Sequence, residues 1–407
     1  MATATMTFDY SVRDKVGKLV TGRLEGESQA AVVTKLKAMG FAPLSITESK
    51  AGGINREMSF GTKKVKLKDI AVMSRQFATM INAGLSLLRS LSILAEQSDN
   101  KELRRILNVV ATELESGQSL SGAMSKHPVV FPPLFVNMVK AGEVGGFLDT
   151  VLLQIAENYE AEVKLRGKIK SAMTYPVVVF VIAILAVVGM LLFIVPIFAS
   201  LFDGLGGTLP APTRVLVFLS AALKFIGPFL LVAGIVGFVV WGKVKRDIRV
   251  RNVVDPLKLK MPIFGSLVRK IALSRFSRNL GTMLSSGVPI LQSLDIVGQT
   301  TGNVVLERAV ADVQESVRRG ESLAQPLTKH SVFPSMLVQM MAVGEDTGAL
   351  DAMLHKISDF YDQEVEATTE ALTSLIEPLM IAVLGAIIGG MIIALYMPIF
   401  SIFALIE

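Results

Sequence analysis

Ser74-Arg-Gln-Phe-Ala-Thr-Met-Ile-Asn-Ala-Gly84 returns later in the chain as Ser277-Arg-Asn-Leu-Gly-Thr-Met-Leu-Ser-Ser-Gly287, an offset of 203 residues. The correspondence extends in both directions. Leu88, Ser90, Leu91 and Ile93 continue into Leu291, Ser293, Leu294 and Ile296, and Gly117, Ser119 and Leu120 into Gly320, Ser322 and Leu323. Lys126-His127 matches Lys329-His330, and after one deleted residue the offset becomes 202. Phe131-Pro132, Gly142-Glu143, Gly146, Leu148-Asp149 and Tyr159 then match Phe333-Pro334, Gly344-Glu345, Gly348, Leu350-Asp351 and Tyr361. Pro196-Ile-Phe198 matches Pro398-Ile-Phe400, so the duplication runs on into apolar sequence.

Those apolar stretches decide the class of protein. The 407 residues are 51% hydrophobic, with a mean hydropathy of +0.53, too apolar for an ordinary soluble enzyme. Ser171–Phe202 and Phe225–Gly242 carry no charge, and Pro378–Ile406 is a third apolar run. Each approaches or exceeds the roughly 20 residues that cross a bilayer. Lys224, Trp241 and Lys243 flank the second, where lysine snorkels and tryptophan prefers the interface. Phe225–Gly242 has no partner in the duplication. Two copies on one side of a membrane need such an extra crossing between them, which accounts for an odd number of spans.

Orientation follows from the basic flanks. Lys164, Arg166, Lys168 and Lys170 precede the first span, and Lys243, Lys245, Arg246, Arg249 and Arg251 follow the second. The N-terminus and both repeated domains are therefore expected in the cytoplasm, with Asp203–Arg214 and the C-terminus outside. Met1–Lys15 lacks a basic stretch leading into an apolar core, so no cleaved signal is expected. The net charge of +6 is placed by these flanks and reads as topology rather than nucleic-acid binding. The absence of cysteine excludes disulfides and thiolate chemistry.

The soluble part of each copy reads as helices, with Phe77, Met80, Ile81 and their counterparts Leu280, Met283, Leu284 at i, i+3, i+4. Turn signals punctuate them at 83–84, 116–117, 131–133, 145–146 and 286–289. The fold expected is mostly α: a polytopic membrane protein with three transmembrane helices, two duplicated cytoplasmic helical bundles and a small α+β N-terminal domain. Its expected layout is an N-terminal domain at 1–50, with a hairpin around Asp14–Gly17, and a linker at 51–64. The first bundle follows at 65–170, a span at 171–202, an external loop at 203–214, and a second span at 215–242. The second bundle covers 243–374 and the third span 375–406.

The search for chemistry is mostly negative. The Gly-Lys pairs at 17, 167 and 242 are followed by Leu, Ile and Val, so no Walker A phosphate loop exists. His127, His330 and His355 show no metal-binding spacing and read as bundle residues. No catalytic residue, metal or cofactor is expected. Two acidic turns remain, Ala141-Gly-Glu-Val-Gly-Gly-Phe-Leu-Asp149 and Val343-Gly-Glu-Asp-Thr-Gly-Ala-Leu-Asp351. Glu143 with Asp149, and Glu345 with Asp351, could bind a cation or a partner's basic groups. The preferred alternative is that they cap helix N-termini, because calcium asks for six or more oxygens. In the third span, Glu377 sits at the inner end, and Gly385, Gly389 and Gly390 form small-residue rows for close helix packing within or between chains.

Several segments taken together resemble the PilC/GspF family of inner-membrane platform proteins of type IV pili and type II secretion systems. They are Arg75–Gly84, Ser119–Met124 with His127–Phe131, Val136–Glu143, Lys168–Pro176 and Leu209–Thr213. The repeated Gly-Glu and Pro-Ile-Phe elements add to these, and Phe8–Asp14 with Gly17, Lys18 and Gly22 is more similar to the pilus branch. The resemblance implies a non-enzymatic platform in the cytoplasmic (inner) membrane. It would couple a cytoplasmic assembly ATPase, and a retraction ATPase where one exists, to pilin insertion. The partners implied are that ATPase, pilins or pseudopilins, other inner-membrane machine components, membrane lipid and further copies of the chain as a homo-oligomer, without nucleic acid. A type II secretion platform and a membrane-tethered signalling scaffold are the alternatives. A transporter is disfavoured by spans that are apolar at their centres, and a membrane enzyme by the missing catalytic cluster.

Overall fold

The computed structural model describes residues 6–13, 19–26, 28–38, 41–48, 64–204, 209–245, 247–262 and 264–406. The expected hairpin turn at Asp14–Gly17, the linker up to residue 63 and the middle of the 203–214 loop lie outside these residues. The chain divides into two units, one ending at Thr62 and one beginning at Lys63.

In the first unit, strands β1 (Met6–Arg13), β2 (Leu19–Gly26) and β3 (Ala42–Glu48) form an antiparallel sheet in the order β2-β1-β3. Helix α1 (Gln29–Ala38) contributes Val32 and Leu36 to a small core with Val12, edged by Val33 and Phe41.

The second unit is helical. In the first copy of the repeat, α2 (Leu67–Asn82), α3 (Leu87–Gln97), α4 (Lys101–Glu115), α5 (Leu120–Ser125) and α6 (Pro133–Gly145) form a bundle with the start of α7 (Leu148–Gly189). Their ends are written in the sequence. Ser86, Asn100 and Ser119 each accept a hydrogen bond from a backbone N–H of the following turn, which satisfies donors the helix itself leaves unpaired. A five-residue π-turn, Met190–Ile194, joins α7 to α8 (Val195–Gly204). It lies directly before Pro196, whose missing N–H interrupts the regular hydrogen-bond ladder. Helix α9 (Ala211–Val244) returns.

The second copy is α10 (Ile248–Lys260), α11 (Phe264–Ser285), α12 (Ile290–Thr300), α13 (Val304–Arg318), α14 (Ala324–Leu327), α15 (Ser335–Thr347) and α16 (Leu350–Ile406). The repeat is visible in the backbone: Gly84, Gly117 and Gly146 and their counterparts Gly287, Gly320 and Gly348 all have positive φ, which glycine adopts without a Cβ penalty.

Buried side chains form one continuous cluster through both bundles. Phe77, Phe131, Phe135, Met138 and Leu152 fill the first, and Phe276, Leu280, Met283, Leu337 and Leu354 the second. Tyr159 packs its ring 6.0 Å from Phe135, and burial pushes its hydroxyl pKa above the ordinary tyrosine value.

No turn separates bundle from span. Leu148–Phe202 is 55 residues of near-continuous helix, and α16 runs for 57 residues, roughly 85 Å at the α-helical rise. These two and α9 are long and apolar enough to cross a membrane. Their outer faces carry exposed Phe180, Leu185, Phe193, Phe229, Leu231, Phe238, Ile381 and Ile393, an apolar surface that only lipid or protein can cover. The three meet around Val195, Leu216, Met391, Ala394 and Leu395, where buried Thr213 donates its hydroxyl to the Ala394 carbonyl at 2.5 Å. The molecule is a multi-pass membrane protein.

Candidate functional site

The duplicated acidic turns are built alike. Glu143, on α6, reaches back to the start of α5, where Oε1 accepts from the Leu120 N–H at 2.6 Å. Its Oε2 accepts from the Ser121 N–H at 3.1 Å and from Ser121 Oγ at 2.7 Å. In the second copy Glu345 Oε1 accepts from the Leu323 N–H at 2.8 Å, and Oε2 from the Ala324 N–H at 3.2 Å and Ser322 Oγ at 2.7 Å. Each carboxylate thereby binds the first N–H groups of a short helix, which no intrahelical carbonyl can satisfy, and places negative charge at a helix N-terminus.

The preceding glycine has a separate role. A Cβ on Gly142 would stand 3.0 Å from Leu148 Cα, and one on Gly344 2.9 Å from Leu350 Cα, so only glycine lets α6 meet α7, and α15 meet α16, this closely. Asp149 is exposed in the first turn of α7. Asp351 is half-buried and accepts from Ser285 Oγ at 3.3 Å; that hydroxyl also lies 3.2 Å from His355 Nε2. Glu143 and Asp149 have no partner in common among the described residues, nor have Glu345 and Asp351. Among the described residues no group of three or more His, Asp or Glu side chains is close enough to hold a metal ion.

The histidines stand apart. His330 Nε2 lies 3.1 Å from Asp312 Oδ2, while the imidazole of His127 buries its Nε2 without a hydrogen-bond partner among the described residues. In the third span, Glu377 is exposed beside Pro378, and a Cβ on Gly385, Gly389 or Gly390 would meet nothing within 4 Å.

Two further sets of polar contacts shape the molecule. Within the bundles, Arg75 Nε and Nη2 grip Glu160 at 2.7 and 2.6 Å, and at the repeat's matching position Arg278 binds Asp362 through Nη2 alone, the other carboxylate oxygen accepting from Ser274 Oγ at 2.5 Å. Hydrogen bonding to Arg75 holds the Glu160 carboxyl below the usual glutamate value. Between the bundles, Gln154, Asn158 and Glu162 lie on one stripe of α7 at successive fourth positions and meet the antiparallel α11. Gln154 accepts from Ser286 Oγ. Asn158 Nδ2 donates to Asn279 Oδ1 at 3.1 Å and Thr282 Oγ1 at 3.3 Å. Glu162 takes a two-pronged bond from Arg275, at 2.6 and 3.2 Å, and a third from Arg166 at 2.6 Å. Burial alone would raise the Glu162 carboxyl, but the charge and hydrogen bonds of Arg275, with Arg166 behind it, outweigh that and hold it below its ordinary value. Lower down, Lys168 pairs with Glu366, and Leu165, Leu267, Val365 and Leu372 close an apolar cluster.

The sequence profile of "Type II secretion system (T2SS), protein F" matches residues 73–196 and again 276–398, offset at their two ends by the same 203 and 202 residues as the internal repeat. The chain belongs to this family. A profile of the family's N-terminal domain matches residues 1–47. A type IV pilus assembly protein PilC from Myxococcus xanthus is 42% identical over 99% of this chain and 97% of its own length. Another from Thermus thermophilus is 42% identical over 97% of this chain and 98% of its own. A type II secretion system protein F from Vibrio cholerae is 33% identical over 96% of this chain and 97% of its own length. The family resemblance read from the sequence is the one these comparisons return.

The seam between the bundles escaped the sequence reading. Its signal was weak, since polar residues at every fourth position of a helix ordinarily mark a solvated face. The Arg75–Glu160 and Arg278–Asp362 pairs had a stronger one, because all four residues adjoin repeat positions already aligned, Ser74 and Tyr159 with Ser277 and Tyr361.

Proposed function

We propose that this chain is the inner-membrane platform of a type IV pilus assembly machine, coupling a cytoplasmic assembly ATPase to the insertion of pilins into the fibre. The observation that carries this reading is the 42% identity, over nearly the full length of both chains, to proteins of type IV pilus assembly. The continuous helices support it mechanically. A displacement imposed on either bundle is delivered along α7 or α16 into the membrane without an intervening turn. The chain itself acts without catalysis, so energy must come from a partner that binds the bundles or the N-terminal domain, while pilins meet the spans.

The basic flanks of the first two spans orient the N-terminus and both bundles toward the cytoplasm and the C-terminus outward. The acidic turns act structurally: Glu143 and Glu345 fasten the short helices α5 and α14, and a partner would recognise the surface they shape rather than the carboxylates.

Capture of the assembly ATPase by the full-length protein in mild detergent tests the coupling. Retention through washing supports it. Failure to capture, alongside normal pili in a strain lacking the protein, sinks it and favours a signalling scaffold. Loss of protein secretion with intact pili in that strain would instead assign the chain to a type II secretion machine.

A further inference from the structure

The contact between the two bundles is not reciprocal. If a two-fold axis related them, every contact from copy one to copy two would recur from copy two to copy one. Phe147, in copy one, lies 3.7 Å from where a Cβ on Gly287 would stand, whereas nothing lies within 4 Å of that point on the counterpart Gly84. Asn137, in copy one, accepts from Gln292 at 2.6 Å, while the counterparts Gln339 and Arg89 are exposed. The α7 stripe of Gln154, Asn158 and Glu162 is covered by α11, but its counterparts on α16, Lys356 and Phe360, are exposed, Phe360 by 38%. The bundles therefore join head to tail, leaving one unused head on the second and one unused tail on the first.

The unused tail is a cleft. Lys68, Val72, Gln76, Leu94 and Asn100 line an open volume of about 400 Å³ between α2, α3 and α4. Their counterparts in copy two include Arg275 and Asn279, the residues that receive Glu162 and Asn158. The same place is thus occupied by a helix in one copy and empty in the other. Its chemistry suits the unused head. Phe360 would enter where Val72, 48% exposed, and Leu94 offer apolar wall. Glu364, the counterpart of Glu162, is half-buried and held by Lys270 of its own chain at 2.7 Å; it would arrive opposite Val72, one helical turn from the exposed Lys68, bringing that pair to the edge of the contact.

We propose that a second copy of this chain supplies the missing helix: the α16 face bearing Lys356, Phe360 and Glu364 docks in the α2–α4 cleft of its neighbour, repeating between chains the contact made within one. The membrane confines this repetition to a plane. A motion that carries one copy onto another in the same bilayer, in the same orientation, is a rotation about the membrane normal combined with a shift in the plane. Repeated, such a motion circles a fixed point, so head-to-tail chains close into a ring where the rotation divides a full turn.

The chain has no cysteine, which makes cross-linking clean. Full-length Gln76→Cys carrying one tag is expressed together with full-length Phe360→Cys carrying another, and isolated membranes are oxidised before detergent is added. An Asn158→Cys, Asn279→Cys double variant of one chain serves as the control for the template contact. The expected result is a band of twice the chain mass holding both tags, absent when either variant is expressed alone. It should be lost when Val72→Arg is added to the Gln76→Cys chain, with the control cross-link unchanged. Absence of the mixed band while the control forms would overturn the proposal. So would Gln76→Cys chains, or Phe360→Cys chains, cross-linking among themselves, because that would demand a two-fold contact.

Discussion

At Glu143 a single carboxylate serves three donors, and removing it leaves the Leu120 and Ser121 N–H groups without their partner. Glu143→Ala is expected to destabilise the first bundle by about 1–3 kcal/mol, the range for a stranded polar group, and Glu345→Ala the second by a similar amount. Thermal melting of the detergent-solubilised protein checks this; an unchanged midpoint in both variants would show that the carboxylates serve only a partner. The two arginine pairs should differ. Arg75 and Glu160 are 37% and 43% exposed, so water screens them and Arg75→Met should cost at most about 1 kcal/mol. Arg278 is only 7% exposed, and Arg278→Met should cost distinctly more because Asp362, left with only the Ser274 hydroxyl, loses its cation in a drier place. Equal losses in the same melting assay would contradict that ordering. Glu162 carries a pH signature. Its pKa is depressed in the folded state, so its stabilisation is complete above the unfolded-state value of about 4.3 and is lost as pH falls through the lower folded-state value. The fall in stability on acidification should therefore be shallower in Glu162→Gln than in the parent.

For the helices, the account depends on the continuity of α7 and α16. A flexible Gly-Ser-Gly-Ser insertion after Lys170 breaks the mechanical link while leaving bundle and span each able to form. The expected outcome is normal membrane insertion and protein level with loss of surface pili, counted by electron microscopy; undiminished piliation would show that rigid transmission is unnecessary. That continuity was only partly legible in the sequence. The shift from Lys164–Lys170 to the uncharged run at Ser171 reads as a boundary between domains, and Gly167 strengthens that impression. In the structure Gly167 lies inside α7. A mid-helix glycine costs about 1 kcal/mol, which the packing of Leu165, Ile169 and Met173 against Leu267, Val365 and Leu372 readily offsets. The turns were legible because glycine and proline act locally. Gly84, Gly117 and Gly146 need no distant partner to announce a left-handed turn. The seam was not, because Asn158 meets residues more than a hundred positions away, and periodicity along one helix says nothing about what faces it.

Across the whole molecule, duplication explains more than any single motif. It supplies two bundles, two spanning helices in the same direction and, through the unpaired α9, the return that lets both copies enter one membrane. It also left a mark that sequence alone could not show: the copies have diverged where they touch, Arg275 standing where its counterpart is Val72, and Asn158 where its counterpart is Phe360. The family's identity was readable because the repeated Gly-Glu turn, the tyrosine that follows it and the Pro-Ile-Phe element recur at fixed spacing in both copies. Whether the chain builds pili is decided by a count of surface pili, with secreted protein assayed in parallel, in a strain deleted for this chain and in the same strain carrying the full-length gene. Bald cells with unimpaired secretion, restored to full piliation by the gene, are expected; normal pili in the deletion strain would rule out a role in pilus assembly.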